Sequence, residues 1–222
     1  HESPAEFSEP GTTPRRTVVD NQKCYACHGV FSKGFEIHGG LRNRTEYCVM
    51  CHNPDQTDAG RRKNDPAEVA AGAQNTTIDF KVMPHKIHRG ENLTKQPYII
   101  FGFGPPPANY SINNFGDIRY PGDLKKCDRC HVEDSQLIPP FPSTARGTLE
   151  THLNPADGSS VVDGVIPPMS SACTSCHDSD EAWAHVEAET ASAGKESCEV
   201  CHAEGRPYAV SVVHATPEAD AN

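Results

Sequence analysis

"CYACH", Cys24 to His28, is the stretch that decides the fold, because the chain repeats its pattern four more times. The other copies are "CVMCH" (Cys48 to His52), "CDRCH" (Cys127 to His131), "CTSCH" (Cys173 to His177) and "CEVCH" (Cys198 to His202). All 10 cysteines fall within these copies. A disulfide framework or a set of zinc sites would explain paired cysteines, but not a histidine after every pair. Cys-x-x-Cys-His attaches c-type haem: the two thiols bind the vinyl groups as thioethers, and the adjacent histidine reaches the iron from one face. Five c-type haems are therefore expected. Their thioethers fall to Cys24, Cys27, Cys48, Cys51, Cys127, Cys130, Cys173, Cys176, Cys198 and Cys201, with His28, His52, His131, His177 and His202 as proximal ligands.

This accounts for a composition that is thin for a conventional core, 36% hydrophobic with mean hydropathy −0.61. Large flat macrocycles can replace missing aliphatic area. The expected fold is mostly irregular with short α-helices and little β, a multihaem cytochrome c fold organised around five covalently bound haems. Helices are expected around each motif, across "PAEVAAGA", and across "SDEAWAHVEAETASAG", capped by Ser179 or Asp180 and stopped at Gly194. The best strand candidate is "AVSVVHA", with at most a minor hairpin. The connectors 53–76, 104–123 and 138–170 read as largely irregular.

Thioether attachment takes place outside the cytoplasmic membrane, so an exported chain is expected, and a first residue of His1 fits a processed N-terminus. The longest apolar stretch, "PYIIFGFGPPPA", falls well short of the ~20 residues a membrane helix needs. A formal charge of −10, to which haem propionates would add, makes nucleic acid an improbable partner.

Twelve histidines are present. Five close the motifs, leaving His1, His38, His85, His88, His152, His185 and His214 to supply the second axial ligands of five irons. Methionine is not needed. His38 precedes two glycines whose missing side chains let a flat ring approach; His185 lies on an expected helix, and His214 follows the last motif. In "MPHKIHRG" (Met83 to Gly90), Pro84 suits the first helical position and Gly90 the termination. His85 and His88 then share one face, roughly 5 to 6 Å apart at Cβ. Too close to flank one iron, they can each serve a different haem. His152, in "LETHLNP", competes with one of them.

The order "CYACH", "IHGG", "EYCVMCHNPDQTD", "IDFKVMPHKIHRGENL", "PYIIFGFG", "IRYPGDLKKCDRCH", "ACTSCHDS", "AHVEA", "ESCEVCHAEGRPYAVSVVHA" closely resembles one pentahaem domain of the OmcA/MtrC-type outer-surface multihaem cytochromes. The resemblance runs from about residue 15 to 215. It implies bis-histidine ligation, a packed haem array, and electron transfer toward minerals, electrodes, flavins or partner cytochromes, at the outer surface or outside the cell, with the periplasm as the alternative. Carried over by position, it implies His38, His85, His88, His185 and His214 as distal ligands and leaves out His152. Residues 16–215 then form the pentahaem domain, with tails 1–15 and 216–222. Family members usually carry two such domains with β-barrel domains between them, so this chain is expected to be a fragment or a stand-alone protein that gains reach by assembling end to end. They also usually have an aliphatic residue where Pro84 stands.

An electron relay is the leading expectation. A multihaem oxyanion reductase would need an iron with an open position, against which five histidine-terminated motifs and surplus ligands argue. A conductive filament of stacked copies is the third possibility.

Overall fold

A computed structural model describes residues 10–11, 16–29, 38, 42–138 and 145–215. The chain divides into two compact units. One takes His1–Cys51, Lys125–Ser143 and Glu199–Asn222, the other His52–Leu124 and Thr144–Cys198.

In the first unit the motif helices are short and held by polar staples. Helix α1 (Asn21–His28) starts where the Asp20 carboxylate accepts the Gln22 N–H, and ends at Gly29, whose positive φ of 73° lets its N–H reach the Tyr25 carbonyl. The Asn21 amide joins it to α2 (Thr45–Cys51), accepting the Thr45 N–H at 2.8 Å and donating to Glu46 at 2.9 Å. The Lys23 ammonium donates to the Asp128 and His131 carbonyls at 2.6 and 2.7 Å, tying α1 to the third motif. That motif is a 3₁₀ turn, Cys127–Arg129, continued by an N–H···O bond from His131 to Cys127.

The second unit holds helices α3 (Ala59–Arg62), α4 (Pro66–Ala71), α5 (Met83–Arg89), α6 (Pro168–Cys173) and α7 (Asp180–Ala188). It also has two antiparallel hairpins, β1 (Ile99–Gly102) with β2 (Ser111–Asn114), and β3 (Thr148–Leu153) with β4 (Ser160–Ile166). The expected helix across "PAEVAAGA" forms, and of the two caps expected for the later helix Ser179 serves. Asp65 caps α4, with Pro66 in its first turn and Gly72 left-handed at its end, and the Ser179 hydroxyl caps α7. Pro84 sits in the first turn of α5 and Gly90 closes it; a side chain at Gly90 would run into the Ile118 carbonyl. The apolar cluster is small: Leu93, Tyr98 and Ile100 are buried, with Ile78, Met83, Ile87 and Phe115 packed half-buried around them.

The mostly irregular, short-helix fold matches expectation, with three local corrections. "AVSVVHA" is not a strand. Its centre forms helix α9 (Val210–Val213), since bonds from Val213 to Ala209 and His214 to Val210 satisfy the backbone locally and override β-branched propensity. Two hairpins stand where at most a minor one was expected: the connector 138–170 contains β3–β4, the larger, and the connector 104–123 contains β2. Helix α7 ends at Ala188, not Gly194: Ser197 N–H bonds the Glu189 carbonyl and a Thr190–Glu196 bridge folds the chain back first. The expectation for the glycines after His38 lies outside the described residues.

A buried ion pair anchors α3 in the second unit. Arg62, 7% exposed, donates twice to Asp58, 3% exposed. Asp58 also accepts the Thr76 and Phe101 N–H groups. Asp58→Ala would leave Arg62 with Glu68 as its carboxylate partner and strand two N–H donors, a loss of about 3 kcal/mol. Thermal unfolding followed by circular dichroism should show it, and an unchanged melting temperature would count against this pair as an anchor.

Candidate haem-ligand constellation

Each motif presents its histidine on a helix or tight turn that also carries the cysteines. Cys24, Cys27 and His28 lie on α1, and Cys48 and Cys51 on α2 just before His52. Cys173 ends α6, with the His177 N–H bonded back to its carbonyl. Cys201 and His202 lie on α8 (Glu199–His202), one residue after Cys198. In the first unit the Cys24 thiol is pushed up to about 11, mainly by burial and next by the Cys130 thiol, with Cys48 contributing. In the second, burial pushes Cys173 up to about 11, with Cys198 the next cause. Cys24, Cys48 and Cys130 therefore sense one another in one unit, and Cys173 and Cys198 in the other. The Glu196 carboxylate, two residues before Cys198, accepts the Met169 and Ser170 N–H groups at the start of α6.

The histidines share a polarity. The Nδ1–H of His52 donates to the Ile78 carbonyl at 2.9 Å, that of His202 to the Tyr208 carbonyl at 2.8 Å, and that of His131 to the Ser135 hydroxyl at 3.0 Å. The Ser135 hydroxyl is free to accept because its own proton goes to the Val18 carbonyl. Among the other histidines, His85 Nδ1–H donates to the Lys81 carbonyl at 2.8 Å and His214 to the Val210 carbonyl at 3.0 Å. A ring with its proton fixed on Nδ1 keeps the Nε2 lone pair, the form in which imidazole binds a metal. Burial also holds His85 below its ordinary pKa, so it stays neutral near pH 7.

His85 and His88 both lie on α5, three residues apart, and the His88 ring meets Tyr120 edge-to-face, centroids 5.4 Å apart. His185 is on α7. His214 follows α9 and shares a cavity of about 180 Å³ in the first unit with Cys127, Asp128, Gln136 and Leu137. His38 is exposed with φ of 56°. His152 stands apart: it lies on β3, and its Nδ1 meets a carboxylate, Asp163 across the hairpin, at 2.6 Å. His1 lies outside the described residues. Of the three methionines, Met83 packs on the apolar cluster and Met50 is 72% exposed.

The residues fit haem on two counts. The thiol and Nε2 donors are the right chemistry, and two buried polar atoms of the second unit, Arg89 Nε at the end of α5 and Tyr98 Oη, have no protein partner, as donors available to an anionic propionate would. The sequence singles out the histidines but not Arg89 or Tyr98, because neither lies in a motif. Among the described residues, no helix is long and apolar enough to cross a membrane.

Residues 16–215 match the family described as outer membrane cytochrome MtrC/MtrF-like, domains II/IV. The outer membrane decahaem cytochrome OmcA is a solved structure similar to this chain, at 25% identity and a TM-score of 0.46. The similarity covers 93% of this chain, which spans a quarter of that protein's length. No curated protein matches.

Proposed function

The chain belongs to the outer membrane cytochrome MtrC/MtrF-like family, domains II/IV, and from that premise we propose that residues 16–215 form a pentahaem electron relay. Each motif binds one haem through its two cysteines and proximal histidine, and His38, His85, His88, His185 and His214 supply the distal ligands. Bis-histidine ligation favours low potentials, suited to delivering electrons outward at the cell surface or beyond it. The acceptors are metal oxides, flavins, electrodes or partner cytochromes, with end-to-end assembly of copies as a way to extend the path.

The observation that carries this reading is the shared polarity of His52, His131, His202, His85 and His214, each with Nδ1–H on an oxygen, the tautomer whose Nε2 lone pair ligates iron. The mutual influence of Cys24, Cys48 and Cys130, and of Cys173 and Cys198, supports close haem packing within each unit. Carrier function follows from irons with both faces occupied, since a reductase needs an open one.

Intact mass of the exported protein should correspond to five haems, and ferric EPR at pH 7 should be wholly low-spin. His152→Ala should leave both unchanged. A resting high-spin fraction would favour a reductase, and a high-spin signal appearing in His152→Ala would overturn the ligand set.

A further inference from the structure

The segment 78–82 does more than lead into α5. The Ile78 carbonyl accepts the His52 Nδ1–H at 2.9 Å, and the Phe80 N–H donates to the His52 carbonyl at 3.0 Å. His52 is thus held by ring and backbone alike. One turn on, the Lys81 carbonyl accepts the His85 Nδ1–H at 2.8 Å. Two histidines far apart in sequence take their ring orientation from carbonyls three residues apart.

What holds those carbonyls is a buried polar knot. The Lys81 ammonium spends its three donors on Asp79 Oδ2 at 2.8 Å, Ser171 Oγ at 2.7 Å and Thr148 Oγ1. Thr148 Oγ1 donates in turn to Asp79 Oδ2 at 2.6 Å, and Asp79 Oδ1 accepts the Lys81 N–H at 3.1 Å. Asp79, Thr148 and Ser171 are 2%, 0% and 2% exposed. Thr148 opens β3, and Ser171 lies on α6 two residues before Cys173. Burying a lysine–aspartate pair is a poor way to gain stability, because desolvation offsets most of the attraction. It does fix geometry, since every donor and acceptor has one place to go.

We propose that Lys81 is a positioning residue for haem ligation: its ammonium locks the Asp79–Lys81 turn onto β3 and α6, and so fixes the two carbonyls that orient the His52 and His85 imidazoles. This rests on the reading that those two histidines bind iron. The orientation of axial imidazole planes governs the g-anisotropy of a low-spin ferric haem, so a ring released from its carbonyl shifts and broadens its own haem's signal.

The test uses the holoprotein. Lys81→Met keeps the aliphatic stem and removes the ammonium. Haem content by mass should stay unchanged and the irons low-spin, while the highest-g EPR lines of the haems bound through His52 and His85 move and broaden and the remaining lines stay put. Ser171→Ala removes one acceptor without baring a charge, and should produce a smaller displacement of the same lines. A Lys81→Met protein that melts lower but keeps wild-type EPR lines would overturn the proposal. If that variant does not accumulate, unaltered lines in Ser171→Ala would do the same. Failure of the ligation reading would look different: His85→Ala would leave every haem low-spin.

Discussion

His85→Ala and His88→Ala should each turn one haem high-spin, and not the same one. Both side chains leave a single seven-residue helix, Met83–Arg89, three positions apart, with Cβ atoms roughly 5 to 6 Å from each other. Ligands on opposite faces of one iron point toward each other across the metal, which neighbours on one helical face cannot do. Their surroundings differ too: His85 is tethered through Nδ1 to the Lys81 carbonyl, while His88 abuts the Tyr120 ring. The haem deprived of His85 and the one deprived of His88 should therefore show separate redox midpoints, each moved upward by loss of a strong-field donor. The double variant should lose two low-spin signals. Resonance Raman or EPR during a redox titration reads this directly, and a double variant in which only one haem changes would refute the two-haem clamp.

The second large effect is expected from Cys173→Ala/Cys176→Ala. Without thioethers, the fourth haem would be held only through its iron, and intact mass should fall by one haem. The consequence for folding should be severe. Among the described residues the unit that carries Cys173 buries six large hydrophobic side chains, Val82, Leu93, Tyr98, Ile100, Phe101 and Leu153, few for a domain of its size. Helix α6 is also where the knot of Lys81 and the Glu196 carboxylate converge, through Ser171 and Ser170. Loss of a haem attached at the end of α6 should abolish cooperative melting of this unit. A double variant lacking one haem, with an unaltered thermal transition, would show that polar staples suffice to hold the fold.

Much of this was legible in the sequence because the informative features are local. A motif of five residues specifies its own turn, and caps such as Asp65 with Pro66 or Ser179 announce helix starts within a few positions. The β3–β4 hairpin was equally local, with Asp157 and Gly158 at its turn and a β-branched run after it, but proline-rich flanks obscured it. "AVSVVHA" erred in the opposite sense, since a strand needs a partner and a helical turn does not. What could not be read is the support of the rings. The Lys81 ammonium meets Thr148 and Ser171 across separations of 67 and 90 residues, and His131 leans on Ser135, whose hydroxyl is itself held by Val18.

The hydrogen bonds at Nδ1 also govern how this protein tolerates mutation. His52, His85, His202 and His214 rest on main-chain oxygens of residues 78, 81, 208 and 210. Every amino acid supplies that oxygen, so a substitution at Val210 keeps the bond provided the backbone stays in place; at Lys81 keeping it there is the ammonium's task, and at Tyr208 the side chain also meets the His202 ring. His131 is the exception: its support is the Ser135 hydroxyl, which a single nucleotide change can erase.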